Sequence, residues 1–549
     1  MLSRFFAAAG GAAGAVFFLA GAGAFAAGDV ENSRPPNRLP PDDTHYRIVR
    51  PYVEEQPVAD YRHASPAAYE AFRDIKFSVR IHWGVYAMRH LEASWPALGM
   101  QPADAAAYHQ LYKRWNPVRF DADAWMRFFK RAGAQCMAFT TKHTDGFSLF
   151  HTRTRVKSRV NYAASTLDAA HTRAPKSPAD ARNPFPIQRP VWHRWASHVE
   201  LEDCDHPYSV EETPFKRDIV RELADAARRH DVKLDFYFPH VDWYDADFRP
   251  YDHHPAALVA PRPDSALLAD YARHRYNTVP NRPPEITRRF LARHREQLRE
   301  LLTNYGKIDL LCLDEYLGAD VWPELRETVK MIRRLQPDIM IRNRGIGNYG
   351  DYFQPEGNIP RDKPKSNMPW MSICLLGRLF SFDPVASHYK GAKWVVDNLV
   401  DCAAKGGSFM VCIGPDEFGE FHPEAVRQLE AVGDWLRVNG EAIYNTRDRT
   451  VWRQTGTKFA NKYKIWFTRS KDFSTTYAIL GGWPQSNTVG LENITLRAGA
   501  KVRLLGHAEP LSWRAVDGGV IVTLPAAMRD PAKRPCKHAW ALALPVERE

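Results

Sequence analysis

What most constrains this chain is a rhythm: short apolar runs that stop on polar side chains, separated by amphipathic helical stretches. The runs are IKFSVRIHWG (75–84), CMAFTTKH (136–143), KLDFYFPHVDW (233–243), IDLLCLDEY (308–316), IMIRNRG (339–345) and SFMVCIGP (408–415). Continuous apolar character over so few residues fits strands buried on both faces, as in a parallel sheet. Between them, DADAWMRFFKRAG, KRDIVRELADAARRH, ARHREQLRELLTNYG and AKWVVDNLVDCAAKGG read as helices. This alternation predicts an α/β fold, most economically a (β/α)8-like barrel. The sharpest run, Ile308 to Leu313, ends on Asp314 and Glu315. A carboxylate where a barrel strand runs out sits where such folds keep their catalytic groups.

At 549 residues the chain is too long for one ordinary core, and two domains are expected. The strand–helix rhythm assigns residues 63–448 to the barrel, with an aperiodic Pro-, Arg- and His-containing insertion at about 163–205. Ser65-Pro66 is a helix start. From 449 to 549 the pattern turns to short β-like runs, KYKIWFTRS, TTYAILGGW, KVRLLG and GVIVTLP, which predict a C-terminal β-sandwich. At the other end, Arg4 precedes a long Ala/Gly/Phe/Leu stretch closing on Ala24-Phe25-Ala26. That is the form of a secretory signal over residues 1–26, so an exported protein, periplasmic or secreted, is expected. An uncleaved anchor is the competing reading of that stretch. No later segment reads as a membrane span, and residues 27–62 read as an N-terminal arm over the surface.

Composition removes other classes. The seven cysteines are odd in number, scattered, and include no CxxC, which argues against a disulfide framework or a zinc site. The net charge of +11 is spread along the chain rather than gathered into a stripe, which argues against a nucleic-acid partner. No HxH follows the first strand and no HExxH occurs, so neither a metal ion nor a cofactor is expected.

The proposed barrel strands end on His82, His143, Asp242, Asp314 and Arg344. A closed barrel brings such ends around one pocket, which makes them a candidate active site. The stretches KFSVRIHWG, FDADAWMRFFKRAGAQCMAFTTKHTDGF, QLRELLTNYGKIDLLCLDE, RNRGIGNYGDYFQPE and AAKGGSFMVCIGPDEFG, in this order, resemble the α-L-fucosidases of glycoside hydrolase family 29. The resemblance implies a retaining, exo-acting glycosidase with a fucosylated oligosaccharide or polysaccharide as its partner. Asp314 matches the family's nucleophile, with Cys312 where the family has Trp. His82 and His143 match sugar-binding histidines, and Arg344 matches an arginine that orients the site. Glu356, twelve residues beyond Arg344, matches the acid/base of some members, while Glu315 and Glu417 remain possible acids. Retaining hydrolysis needs an ionised nucleophile and a protonated acid, and burial in the Tyr349–Tyr352–Phe353 setting is expected to keep a proton on Glu356.

Departures from the family accompany these matches. Thr144 replaces a histidine, and the family's Glu-Trp sugar contact appears as Ser94-Trp95, with Glu92 two residues early. A Trp-Gly-Tyr segment becomes Phe380-Ser381-Phe382. Trp95 remains a candidate sugar-binding residue. These changes open two other readings: a related glycosidase acting on a sulfated or otherwise fucose-like sugar, and a glycan-binding protein that kept the barrel without catalysis. The oligomeric state is not legible.

Overall fold

The structure, a computed structural model, describes residues 37–100, 102–167, 196–198, 200–248, 284–454, 459 and 461–547. The signal sequence expected at 1–26, the start of the arm and most of the insertion expected near 163–205 lie outside the described residues.

Seven parallel strands form one sheet: β1 (Phe77–Ile81), β2 (Cys136–Thr140), β3 (Lys233–Pro239), β4 (Leu310–Asp314), β5 (Met340–Ile341), β6 (Met371–Leu375) and β7 (Ser408–Ile413). Their order is β6-β7-β1-β2-β3-β4-β5, so each follows its neighbour in sequence and β7 returns to pair with β1. Every residue of β1, β2, β4 and β7 is buried, which explains why these strands read as unbroken apolar runs. Between β5 and β6 no regular strand forms. There the segment 352–356 makes single parallel bridges, Arg342 with Tyr352, Phe353 with Trp370 and Glu356 with Ile373. It takes the eighth place in the barrel and ends on Glu356.

The helices begin where the chain offers a capping side chain. Asp121 accepts from Ala124 N at 2.9 Å, Asp218 from Arg221 N at 2.9 Å and Ser65 from Ala68 N at 3.3 Å. Pro66 opens its helix as its fixed φ allows. Among the described residues no helix is long and apolar enough to cross a membrane.

Beyond the barrel, strands Arg447–Gln454, Ile465–Arg469, Thr475–Leu480, Trp540–Pro545 and Arg503–Leu504 form one antiparallel sheet. Thr488–Glu492, Gly519–Thr523 and Trp513–Val516 form a second. The period-2 rule divides their side chains: Ile465 and Phe467 join Val489, Leu491, Val520 and Val522 in the core between the two sheets, whereas Trp466 packs into the barrel's core. Trp466 Nε1 also donates to Asp401 Oδ1, 2.9 Å away on a barrel helix. All seven cysteines are free.

The described part of the arm does more than cross the surface. Leu39, Tyr46, Val49, Val53 and Tyr61 are buried in the barrel's core cluster. Asn37 donates to Gly350 O at 3.0 Å, Leu39 N to Asn348 Oδ1 at 3.1 Å, and Tyr61 OH to Tyr349 O at 2.6 Å. The arm is thereby fastened to the loop between β5 and the eighth segment. Asp351 in that loop is fully buried and accepts from Arg333 Nη2 at 2.5 Å, Tyr69 OH at 2.9 Å and Ile341 N at 2.9 Å. Burial by itself would raise its pKa, but Arg333 and His63 outweigh it and hold the carboxyl below the usual carboxylate range. Its stabilisation is therefore present above the unfolded-state pKa and lost as pH falls through the folded one. Asp351→Ala strands the Arg333 charge and is expected to cost about 3–5 kcal/mol in urea unfolding.

Candidate active site

The strand ends surround a cavity of about 1390 Å³, larger than the roughly 300–1,000 Å³ of ordinary small-molecule sites. It therefore has room for more than one sugar ring. His82, Trp95, His143, Asp314, Arg344 and Glu356 all line it. Asp242 does not: it bonds Lys142 Nζ at 3.0 Å and Arg293 Nη1 at 2.7 Å in a buried network that braces the rim.

Asp314 is 6% exposed and bonded on both oxygens. Arg344 Nη1 donates to Oδ1 at 2.6 Å, Arg342 Nη2 donates to the same oxygen, and Tyr237 OH donates to Oδ2 at 2.7 Å. Burial would raise the pKa of this carboxyl, yet the Arg344 and Arg342 charges and the Tyr237 bond prevail and hold it well below the usual range. Asp314 stays ionised. Arg342 is fixed from behind, with Nε donating to Leu313 O at 2.8 Å and Nη1 to Gln354 Oε1 at 2.6 Å. Directly after Asp314 the backbone turns sharply, with Glu315 at φ 67°. Glycine is required at Gly345 (φ 79°), where a Cβ would meet His240 Nε2 at 2.7 Å and Glu315 O at 2.8 Å.

Arg344 also reaches Glu356: its Nη2 donates to Oε2 at 2.7 Å. The Glu356 side chain is 36% exposed and ion-paired, so the burial expected to keep a proton on it is missing. Glu92 presents the opposite environment. It lines the cavity with Phe380 N donating to its Oε1 at 3.2 Å, and burial foremost, then the charges of Asp383 and Glu356, pushes its pKa up to about 7.

The two histidines are neutral. Burial drives His143 down to about 3 and His82 well below its usual value. His143 stacks on Tyr237 at 5.4 Å and meets Trp95 edge-on at 5.8 Å. His82 is 4% exposed, and its Nδ1 has no hydrogen-bond partner among the described residues. Below them Arg80 lines the cavity, its Nη2 lying 2.6 Å from Cys312 Sγ.

Residues 54–171 and 193–441 match the alpha-L-fucosidase family, and residues 460–545 match the alpha-L-fucosidase C-terminal domain. The chain belongs to the alpha-L-fucosidase family. Among relatives of this glycoside hydrolase family, the plasma alpha-L-fucosidase of Homo sapiens is 25% identical over 500 residues, covering 86% of this chain and 89% of that one. The tissue alpha-L-fucosidase of Homo sapiens is 24% identical, covering 94% of each chain. The alpha-L-fucosidase isoenzyme 1 from Paenibacillus thiaminolyticus superposes with a TM-score of 0.65 at 26% identity, over 87% of this chain and 99% of that one. A family 29 alpha-L-fucosidase from Bacteroides thetaiotaomicron shares the fold at a TM-score of 0.66 and 21% identity, over 90% and 98% of the two chains. The barrel and sandwich expected from the sequence are thus the architecture of this family.

Two of the departures from the alpha-L-fucosidase pattern change meaning in three dimensions. Ser94 and Thr144 were expected to alter sugar recognition, but both are fully buried and neither lines the cavity. Ser94 Oγ bonds Thr144 Oγ1 at 2.7 Å and also bonds His143 Nδ1. The two hydroxyls satisfy each other and steady the imidazole from behind. Glu92, out of register in sequence, does reach the cavity. Arg342 and Tyr237 were missed by the sequence reading, although alternation in IMIRNRG and KLDFYFP places both on the same strand face as other inward residues. Pro40 to His45 also line the cavity, which nothing in the arm's composition announced.

Proposed function

We propose that this protein is an exported, retaining exo-α-L-fucosidase that removes terminal α-L-fucosyl residues by double displacement. The observation that carries the reading is Asp314, ionised by two arginines and a tyrosine at the floor of a cavity in an alpha-L-fucosidase family chain. In the first step Asp314 attacks the anomeric carbon and forms a covalent fucosyl-enzyme while the acid protonates the departing oxygen. In the second step that residue, now the base, takes a proton from water, which releases fucose with its configuration retained. The solved structure of a trapped covalent intermediate in a Bacteroides thetaiotaomicron family 29 alpha-L-fucosidase is in keeping with this route. His82 and His143 are neutral; His143, its Nδ1 held by Ser94, offers Nε2 to a sugar hydroxyl, and the unpaired His82 Nδ1 is a buried polar atom that such a hydroxyl would satisfy. Trp95 supplies an apolar face beside them. Proton NMR of the first-formed sugar tests the route: β-fucose released from an α-fucoside would overturn it.

Glu356 is assigned as acid/base, since it ends the eighth barrel segment and shares Arg344 with the nucleophile. A second reading gives the proton to Glu92, whose raised pKa of about 7 matches a group that must be protonated near neutrality. The case for a sulfated or altered sugar is weakened, because Ser94 and Thr144 bond each other away from the cavity. Export rests on residues 1–26 alone, and N-terminal sequencing of the secreted protein would check it.

Arg342 gives a pH test. Arg342→Gln removes one of the two charges that depress Asp314, so the acid limb of the kcat/KM profile is expected to move to higher pH. The charge change is worth roughly one pH unit or more. An unmoved acid limb would mean that Asp314 does not control it.

A further inference from the structure

The arm delivers a side chain into the cavity that the reaction scheme above leaves without a task. His45 sits on the short helix Thr44–Val49, whose N-cap Asp43 accepts from Tyr46 N at 2.7 Å. Its Nε2 lies 2.8 Å from Arg344 Nη2, and its Nδ1 bonds the hydroxyl of Tyr316. The His45 and Tyr316 rings stack at 6.0 Å with planes 20° apart. Arg344 has no acceptor capacity, so Nε2 must be the bare nitrogen and Nδ1 carries the proton toward Tyr316. Burial, and after it the charges of Arg344 and Arg342, keep this imidazole neutral.

We propose that His45 is a positioning residue, an N-terminal clamp that keeps the Arg344 guanidinium over Asp314 while the acid/base moves. The need for one follows from the geometry. Arg344 Nη1 serves Asp314, whereas Nη2 is shared between Glu356 at 2.7 Å and His45 at 2.8 Å. An acid that turns to the departing oxygen leaves Nη2 with one partner fewer. Without a second partner the long Arg344 side chain would be free to follow it and uncover the nucleophile. His45 holds Nη2 through that step, and Tyr316 holds His45. Behind them the helix is fixed by buried Tyr46 and Val49 and by the arm's bonds to residues 348–350. The clamp and the loop bearing Arg344 therefore move as one body.

This inference rests on the reading that Asp314 and Arg344 serve α-fucoside hydrolysis, and the test separates the two. Turnover of an activated aryl α-L-fucoside is measured for the full chain and for His45→Ala, His45→Gln, Tyr316→Phe and Arg50→Ala, with thermal unfolding of each. His45→Ala is expected to lose about 10- to 100-fold in kcat, the scale of a misplaced catalytic group, with little change in KM. Its acid limb should move to higher pH as Arg344 loosens from Asp314. His45→Gln keeps an acceptor for Nη2 and should recover most of the loss, while exposed Arg50 on the same arm should leave activity unchanged. Normal kcat in His45→Ala overturns the proposal. So does an equal loss in His45→Gln, or a loss that merely follows a lowered melting temperature. An unmodified protein that hydrolyses no aryl α-L-fucoside would instead overturn the fucosidase reading. The clamp is then decided by a crystal structure of His45→Ala, where Arg344 must have left Asp314.

Discussion

Asp314→Ala is expected to abolish turnover of aryl α-L-fucosides, with kcat falling on the order of 10⁴-fold or more, the scale seen when an enzyme loses its nucleophile. The reason lies in the wiring of the site. Arg344, Arg342 and Tyr237 all converge on this one carboxylate. With the side chain gone, the space it occupied opens next to two guanidiniums. Azide is an anion small enough to enter there and attack the anomeric carbon. Added azide should therefore restore part of the activity on substrates with good leaving groups and yield β-L-fucosyl azide, the product of a single inversion. Activity within tenfold of the unmodified enzyme would remove Asp314 from its role. Rescue that gave α-fucosyl azide would argue for a covalent intermediate on another residue.

The second large effect concerns the proton. If Glu356 is the acid, Glu356→Ala should cost about 10²–10⁴-fold on an unactivated fucosyl oligosaccharide and far less on a dinitrophenyl fucoside, whose leaving group needs no proton. Glu92→Gln should then weaken both substrates to a similar extent, as loss of a sugar contact does. The reverse pattern would assign the acid to Glu92, the cavity carboxyl whose environment already favours the protonated form near pH 7. The pH profile supplies an independent reading. A basic limb near 7 that disappears in Glu92→Gln but persists in Glu356→Ala would settle the matter for Glu92.

The strands that bear His82, His143, Asp314 and Arg344 were legible because two-sided burial writes itself as an apolar run, and the run stops where the rim begins. Arg342 and Tyr237 were hidden for the complementary reason. Tyr237 sits within β3 and Arg342 directly after β5, where alternation says that a side chain shares a face with others but not what stands opposite. Glu356 could be placed only through the family resemblance, twelve residues beyond Arg344, since the segment that carries it makes only single bridges and has no strand signature. Its surroundings could not. The aromatic residues around it suggested burial, whereas Tyr349 and Tyr352 turn into the core and leave the carboxylate a third exposed beside Arg344. Ser94 and Thr144, fifty residues apart, became intelligible only as a bonded pair. His45 lay in a segment whose Pro-, Asp- and Arg-rich composition reads as an arm over the surface.

The arm's attachments also impose an order on assembly. Asn37, Arg38 and Leu39 meet partners 309 to 329 positions later in the chain. Contacts of such separation form late, because the intervening chain must already be compact before they offset the cost of closure. Most of the barrel's secondary structure can therefore be in place while one wall of the cavity is still missing. During refolding from denaturant, catalytic competence should lag behind the recovery of helical signal, and a chain emerging from synthesis should remain inert until residues 37–39 find positions 348–367.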